Sequence, residues 1–471
     1  MGIEPAKVRG LSMHLKYKAP RIHFLTNYVT MNDVANMCIA SGGRPIMSEA
    51  VSEFEAIISK VDGLVLNIGT ADELRFEKLH QAHRIAKALD KPLLLDPVGC
   101  SASQFRLSHS LKLLKDGGVS ILKCNGQEAK ALLDEEVSSV FYGVDSQAMN
   151  PEQVKILAYS LWKKYEPLNK KIVVIITGAT DYIVSDDGCD EVTGGSILQQ
   201  SITGTGCMLN SLLMTRFCGS YGRHYSLMKV LECMKRSSEC AARRIHNQGH
   251  LGSYKQGLID EVATRNRPIY LITQESANAQ EFKSLCLLKT EVALQSGIGY
   301  VQYRVKNKSW EEKIQESQEL QGLARKYGTT FIINDDIALA KTIGADGVHL
   351  GAQDMTVGEA RKELGSRCVI GATAKTLDQA RQAVVEGADY LGVGALFPSL
   401  TKPDAIPMDL STLESIYKNM SLPLYGIGGI TPNNLTFEHT RYLDGVAMVS
   451  SLYQEKTENI STMIHQIKQS F

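Results

Sequence analysis

The C-terminal half repeats one short pattern eight times, and this narrows its fold more than any other feature. β-rich runs stand at Ile269–Thr273, Tyr300–Arg304, Thr330–Asn334, Gly347–Leu350, Cys368–Gly371, Tyr390–Gly394, Leu422–Gly426 and Val446–Ser450. Between them lie amphipathic stretches such as Trp310–Lys326, Leu377–Glu386 and Leu410–Asn419. Eight strands alternating with helices predict a closed (β/α)8 barrel of the TIM type. In that fold the polar residues that follow each strand line one working face. Arg304, Asn334, Asp335, Thr373, Thr401 and Ser450 all fall at or near such ends.

The N-terminal half also alternates, with apolar runs Gly63–Ile68, Pro92–Leu95, Ser120–Leu122 and Ile172–Thr177 and a helical pattern over Leu79–Leu89. These predict an open parallel α/β sheet covered by helices on both faces. At 471 residues the chain is too long for one ordinary core. The polar stretch Asp260–Arg267 sets the expected domains at 1–265 and 266–471, joined without a Pro/Ser-rich linker. No internal sequence repeat or low-complexity segment is evident.

Composition excludes several classes of function. Formal net charge is zero, so charge gives no support for nucleic-acid or membrane-surface binding. No apolar run approaches the roughly 18 residues that span a bilayer. The mixed, basic stretch Met1–Pro20 has no apolar centre and is not expected to be a secretory signal. The ten cysteines contain no Cys-x-x-Cys pair, which argues against zinc sites and a disulfide framework. A cytoplasmic chain acting on small molecules is expected, forming a homo-oligomer.

Two sets of residues suit phosphate chemistry. In the first half, Gly204-Thr205-Gly206-Cys207 precedes the apolar helical stretch Met208–Phe217. A glycine turn lets backbone approach an anion, and a helix start offers unpaired N–H groups and a positive dipole end. Such a turn could stabilise charge on a transferred phosphoryl group, although a lone Gly-x-Gly is as often just a tight turn.

In the second half, Gln302, Arg304 and Lys306 alternate and would share one face of an extended chain, where two cations and an amide can grip diphosphate oxygens. Asp335 and Asp354 follow different strands, and hard carboxylates suit Mg²⁺. His349 lies within its strand and reads as a packed or orienting residue. Ser399-Leu400-Thr401-Lys402 forms a further anion-loop pattern, and Gly426–Ile430 and Val449–Ser450 close the last two strands, where barrels often hold phosphate.

Taken in order, the motifs of residues 15–262 resemble hydroxyethylthiazole kinase, a ribokinase-like enzyme. The matching segments are Leu25–Asp33, Pro45–Met47, Leu66–Thr70, Asp96–Gly99, Asn125 with Glu128, Gly143–Ser146, Thr177-Gly178 and Gly204–Cys207. The resemblance implies that Cys207 faces the substrate hydroxyl, where related sugar kinases carry an aspartate. It also implies that Met47 and Gly204 contact the thiazole alcohol, Asp96 and Glu128 help hold magnesium, and Lys123 and Thr177 contact ATP. Lys123-Cys124 replaces the family's usual Arg-Gly, keeping the charge without the planar fork.

From Pro268 to Phe471 the chain resembles thiamine phosphate synthase. This implies that Gln302, Arg304, Lys306, Asn334, Thr373 and Lys402 bind a pyrimidine diphosphate, and that Asp335 and Asp354 bind Mg²⁺. Ser399, Thr401, Gly429, Val449 and Ser450 would hold a thiazole phosphate. Ala352 stands where the family commonly has glutamine, and Ser399 where it has threonine. The expectation is a bifunctional enzyme of thiamine biosynthesis. Its rivals are a chain with one degenerate domain, marked by Lys123 or Ala352, and a non-catalytic sensor of thiamine precursors. Intact Cys207, Asp335, Asp354 and Lys306 argue against the sensor.

Overall fold

The computed structural model describes residues 19–70, 72–137, 150–219, 223–245, 249–266, 268–398, 406–468 and 470–471. The chain forms two compact units, Met1–Ala263 and Thr264–Phe471. Two sequence motifs, Gly143–Ser146 and Ser399–Lys402, lie outside the described residues.

The first unit is an eight-stranded sheet. Its strands are β1 (Arg21–Leu25), β2 (Arg44–Ile46), β3 (Gly63–Asn67), β4 (Leu93–Asp96), β5 (Ile121–Asn125), β6 (Val173–Thr177), β7 (Asp181–Ser185) and β8 (Gly188–Val192). Their order is β2-β1-β3-β4-β5-β6-β7-β8. The pairs from β2 to β6 are parallel, and β7 and β8 are added antiparallel. The strands alternate between two buried cores. Leu64, Leu66, Leu122 and Val174 join one, whereas Val65, Ile121, Val173 and Ile175 join the other. Helices cover both faces because each face is apolar.

The sheet is wider than the apolar runs alone indicate. The run reading passed over β1, β2 and the β7–β8 hairpin. β2 is three residues long, and β8 is a largely exposed edge carrying Asp190 and Glu191. Acidic side chains on an edge strand discourage pairing with another chain, and they also remove the hydrophobic signal.

The second unit is a closed barrel of eight parallel strands. They are β9 (Ile269–Ile272), β10 (Tyr300–Tyr303), β11 (Thr330–Asn334), β12 (Gly347–Leu350), β13 (Val369–Ala374), β14 (Tyr390–Gly394), β15 (Leu424–Ile427) and β16 (Gly445–Met448). The expected runs and observed strands differ by a few residues at their ends. Closure pairs β16 with β9. The interior is filled by Tyr270, Tyr300, Tyr390 and Tyr425 together with Ile272, Ile332 and Ala447. The Tyr270 and Tyr300 rings stack at 5.0 Å, and Tyr425 meets Tyr270 edge-on at 5.6 Å. Such pairs add about 0.5–1.5 kcal/mol each beyond the area they bury.

Each unit has its own core, so the expected division at residue 265 gives a direct experiment. Expressed separately, 1–265 and 266–471 should each be folded and melt cooperatively in calorimetry. Two insoluble fragments would show that each core depends on the other unit.

Candidate functional site

In the first unit the chain leaves β1 toward β2 on one side and then returns to add β3 on the other. This reversal of strand order puts a topological switch point at the carboxyl ends of β1 and β3, the usual ligand position in open α/β sheets. Asn27 follows β1, Asn67 ends β3, Asp96 ends β4, and Asn125 and Thr177 end β5 and β6 as paired neighbours. The Thr205–Gly219 helix begins beside them.

Cys207 sits in the first turn of that helix and is buried. Its Sγ accepts from Asn27 Nδ2 at 3.1 Å and from Asn67 Nδ2 at 3.4 Å. Burial pushes the thiol pKa up, with Asp96 adding to the shift and Lys123 opposing it, so the group stands as a neutral thiol near pH 7. Lys123 is buried and reaches Asp96 Oδ2 at 3.1 Å and the Gly206 carbonyl at 3.3 Å. Burial alone would lower the ammonium pKa, but Asp96, Cys207 and Glu128 outweigh it and the net shift is upward. The lysine therefore stays charged and tethers the glycine turn to the end of β4.

Asp96 Oδ2 also accepts from Asn67 at 2.7 Å and Asn210 at 2.6 Å, whereas its buried Oδ1 has no partner among the described residues. A buried carboxylate oxygen with no donor suits a cation. Glu128 is arranged differently. Its oxygens accept from the Gly99 and Asn125 backbone N–H groups at 2.7 and 2.9 Å. Burial, reinforced by Asp96, pushes its carboxyl up to about 7. Thr177 Oγ1 donates to the Cys124 carbonyl at 3.4 Å, and Met47 is partly buried against the core beneath.

Gly204 has φ +96°, and a Cβ there would lie 2.6 Å from Thr30 Cγ2. Gly204→Ala should therefore destabilise the first unit by about 1–3 kcal/mol and displace the turn. The check is the first unit's melting temperature, and a parent value would remove the strain argument.

In the second unit the candidate residues lie at the carboxyl ends of the barrel strands, where barrel enzymes keep their sites. β10 stops at Tyr303, so Arg304 and Lys306 lie beyond the strand proper. Their backbone N–H groups donate to Thr273 Oγ1 at 3.0 Å and Glu275 Oε2 at 3.2 Å, which continues the attachment to the exit of β9 through side chains. Gln302 is buried and donates Nε2 to Tyr270 OH at 2.9 Å. His349 pairs Nε2 with Thr373 Oγ1 at 3.0 Å and Nδ1 with Tyr390 OH at 3.1 Å, an orienting arrangement.

Asn334 Nδ2 donates to Asp335 Oδ2 at 2.5 Å, and Asp354 Oδ2 accepts from the Gly351 N–H at 2.7 Å. Burial, then hydrogen bonding and repulsion from Asp354, push the Asp335 carboxyl up to about 6, while Arg304 pulls the other way. Two hard carboxylates held in contact create a demand for a cation. Among the described residues no third Asp, Glu, His or Cys joins them, so a magnesium ion there would need phosphate oxygens and water.

The carboxyl shift has a testable sign. Its folded pKa lies above its ordinary 3.8, so folding favours the protonated form. Its contribution to stability is present at low pH and lost as pH rises to about 6. Without divalent cations, Asp335→Asn should flatten the fall in the second unit's melting temperature between pH 4 and 6. An unchanged difference from the parent across that range would refute the shift.

Gly429 and Val449 follow β15 and β16, and Ser450 starts the short Ser450–Gln454 helix. Gly429 has φ +59°, and a Cβ there would lie 2.2 Å from the Pro398 carbonyl. The tight approach places the β15 exit against the residues leading into 399–405. Ser399, Thr401 and Lys402 are outside the described residues.

Several residues in these sites have no role in the sequence reading. Asn67 could have been found as a polar residue closing the apolar strand Gly-Leu-Val-Leu-Asn. Asn210 is hidden inside an apolar helix. Tyr270 and Tyr390 look like ordinary strand residues. Lys235, buried against Asp181 at 3.2 Å and the Gly178 carbonyl at 2.8 Å, carries no motif.

Residues 13–266 match a model of the hydroxyethylthiazole kinase family, and residues 269–452 match thiamine monophosphate synthase. The thiamine biosynthesis bifunctional protein ThiM/ThiE of Symbiobacterium thermophilum is 29% identical over 458 residues, covering 94% of each chain. A thiamine-phosphate synthase of Clostridium perfringens is 44% identical over 40% of this chain and 88% of its own length. A hydroxyethylthiazole kinase of Alkaliphilus metalliredigens is 34% identical over 53% of this chain and 88% of its own.

Proposed function

Because the chain belongs to the hydroxyethylthiazole kinase family through its first unit and to the thiamine monophosphate synthase family through its second, we propose that it performs two consecutive steps of thiamine synthesis. The first unit transfers the γ-phosphoryl group of ATP to hydroxyethylthiazole. The second joins the thiazole phosphate to an aminopyrimidine methyl diphosphate, releasing pyrophosphate and thiamine phosphate. The observation that supports this best is the pairing of two unlike sites in one chain: a buried thiol at a glycine turn and helix start, and an acidic pair beside a cationic strand exit.

In the first step the alcohol lies against Cys207, Met47 and Gly204. The neutral thiol, fixed by two asparagine amides, holds the attacking oxygen in place. Backbone N–H groups of the turn receive the charge that grows on the phosphoryl group. Lys123 and Thr177 face ATP, and Asp96, through its free oxygen, and Glu128 would help hold Mg²⁺.

In the second step Arg304, Lys306 and Lys402 grip the diphosphate, and Gln302, Asn334 and Thr373 hold the pyrimidine. Ser399, Thr401, Gly429, Val449 and Ser450 seat the thiazole phosphate. The bond from the pyrimidine methylene to the diphosphate breaks, its electron pair leaves with pyrophosphate, and the thiazole nitrogen attacks the methylene carbon. Asp335 and Asp354 would hold magnesium, which would supply charge neutralisation for the leaving group.

No helix among the described residues is long and apolar enough to cross a membrane. We place the enzyme in the cytoplasm as a homo-oligomer. Mass spectrometry of products, with each unit's substrates supplied separately and then together, tests the assignment. Thiazole phosphate from the first set, and thiamine phosphate from the second, are expected. Formation of only one would reveal a degenerate unit, and formation of neither a sensor.

A further inference from the structure

A line of hydrogen bonds crosses the barrel beneath the strand ends. Gln302 Nε2 donates to Tyr270 OH at 2.9 Å, and the Tyr270 and Tyr390 hydroxyls are 2.7 Å apart. Tyr390 OH is 3.1 Å from His349 Nδ1, and His349 Nε2 is 3.0 Å from Thr373 Oγ1. The five residues come from β10, β9, β14, β12 and β13. Gln302, Tyr270 and Tyr390 are each 2% exposed or less, so water does not compete along the middle of the line. Its two ends, Gln302 and Thr373, are residues assigned above to the pyrimidine. Of the three between them, Tyr270 and Tyr390 have no assigned role, and His349 only an orienting one.

A hydroxyl has one proton to give, and a neutral imidazole gives one and accepts one. Each link therefore fixes the next. With Gln302 donating, Tyr270 gives its proton to Tyr390, Tyr390 gives its proton to His349 Nδ1, and His349 Nε2–H donates to Thr373. Reversing any single link leaves a buried proton without an acceptor or sets two lone pairs face to face, which is costly. Gln302 is left with its carbonyl oxygen and its second Nε2 proton, and Thr373 with its own hydroxyl proton. The line thus leaves an acceptor on Gln302 and a donor on Thr373 for the site. An aminopyrimidine carries the complement, an exocyclic N–H and a ring nitrogen lone pair. In its oxo counterpart a carbonyl and a ring N–H invert both.

We propose that Tyr270, Tyr390 and His349 are positioning residues that fix the hydrogen-bond polarity of Gln302 and Thr373, and that this line makes the barrel select an aminopyrimidine diphosphate over its oxo analogue. The proposal rests on the coupling reading of the second unit.

The test uses the full chain with thiazole phosphate supplied, and compares kcat/KM for the amino and oxo pyrimidine methyl diphosphates. Tyr390→Phe and Tyr270→Phe keep the rings and break the line. Each should lower the amino-to-oxo ratio by about tenfold, the scale of one buried hydrogen bond, mainly through KM. Tyr425→Phe is the control. Tyr425 packs in the same cluster, but its buried hydroxyl has no partner among the described residues, so the ratio should not move. Titration calorimetry with the two diphosphates gives the same ratio without turnover, should a variant be slow. Parent-like ratios in both line-breaking variants, with unchanged melting temperatures, would overturn the proposal. So would an equal fall in Tyr425→Phe, which would make the effect one of packing. A parent enzyme that couples neither pyrimidine would instead sink the coupling reading, and this proposal with it.

Discussion

Cys207→Ala should lower thiazole phosphorylation by about a hundredfold while coupling proceeds at the parent rate when thiazole phosphate is supplied. The size follows from the state of the thiol. Positioned acid–base groups contribute about 10²–10⁴-fold, and a neutral thiol that orients an alcohol belongs at the lower end. Its surroundings also confine the effect. Asn27 and Asn67 each donate to Sγ, and both have other partners or neighbours in the network around Asp96. Removing sulfur frees those amides without opening a large void, so the fold should persist. The measurement is phosphoryl transfer from ATP to hydroxyethylthiazole under single-turnover conditions, run beside a coupling assay. Near-parent phosphorylation would remove Cys207 from the site.

A second large effect belongs to the acidic pair of the barrel. Asp335→Asn or Asp354→Asn keeps the shape and deletes one charge. Changing a residue that only supports a metal ligand typically costs about 10- to 100-fold in metal affinity. Losing one of two carboxylates should cost at least as much. The magnesium concentration for half-maximal coupling should rise more than about tenfold and the maximal rate should fall, with phosphorylation untouched. If both are ordinary loop aspartates, the magnesium titration of each variant will overlay that of the parent.

Periodicity made the barrel legible. Its strands are buried on both sides and read as short apolar runs, and Thr330–Asn334, Gly347–Leu350 and Tyr390–Gly394 begin and end where the runs do. The helices Trp310–Lys326 and Leu410–Asn419 also match, and Ser309 and Asp409 cap their first turns. The first sheet was legible only in its centre. Strand β7 is added antiparallel and its polar partner β8 lies at the edge, and the run reading has no purchase on this hairpin.

The sites divide in a similar way. Charged strand-end residues such as Arg304, Asp335 and Asp354 announce themselves because a charge after an apolar run has few structural uses. The supporting groups do not. Tyr270 and Tyr390 satisfy the hydrophobic pattern with their rings and do their polar work with a single oxygen, so the pattern conceals them. Asn210 is similarly masked by its helix, and only the 2.6 Å contact with Asp96 gives it meaning.

The central claim is that one chain makes a phosphate ester and then consumes it. The most direct measurement follows the phosphorus. The full-length protein is given hydroxyethylthiazole, the aminopyrimidine methyl diphosphate, magnesium and ATP labelled in its γ-phosphoryl group, and the label in thiamine phosphate is quantified. Stoichiometric transfer of label into thiamine phosphate is the expected result, and it should disappear with Cys207→Ala. Thiamine phosphate that stays unlabelled, or that forms only when thiazole phosphate is added from outside, would contradict the claim.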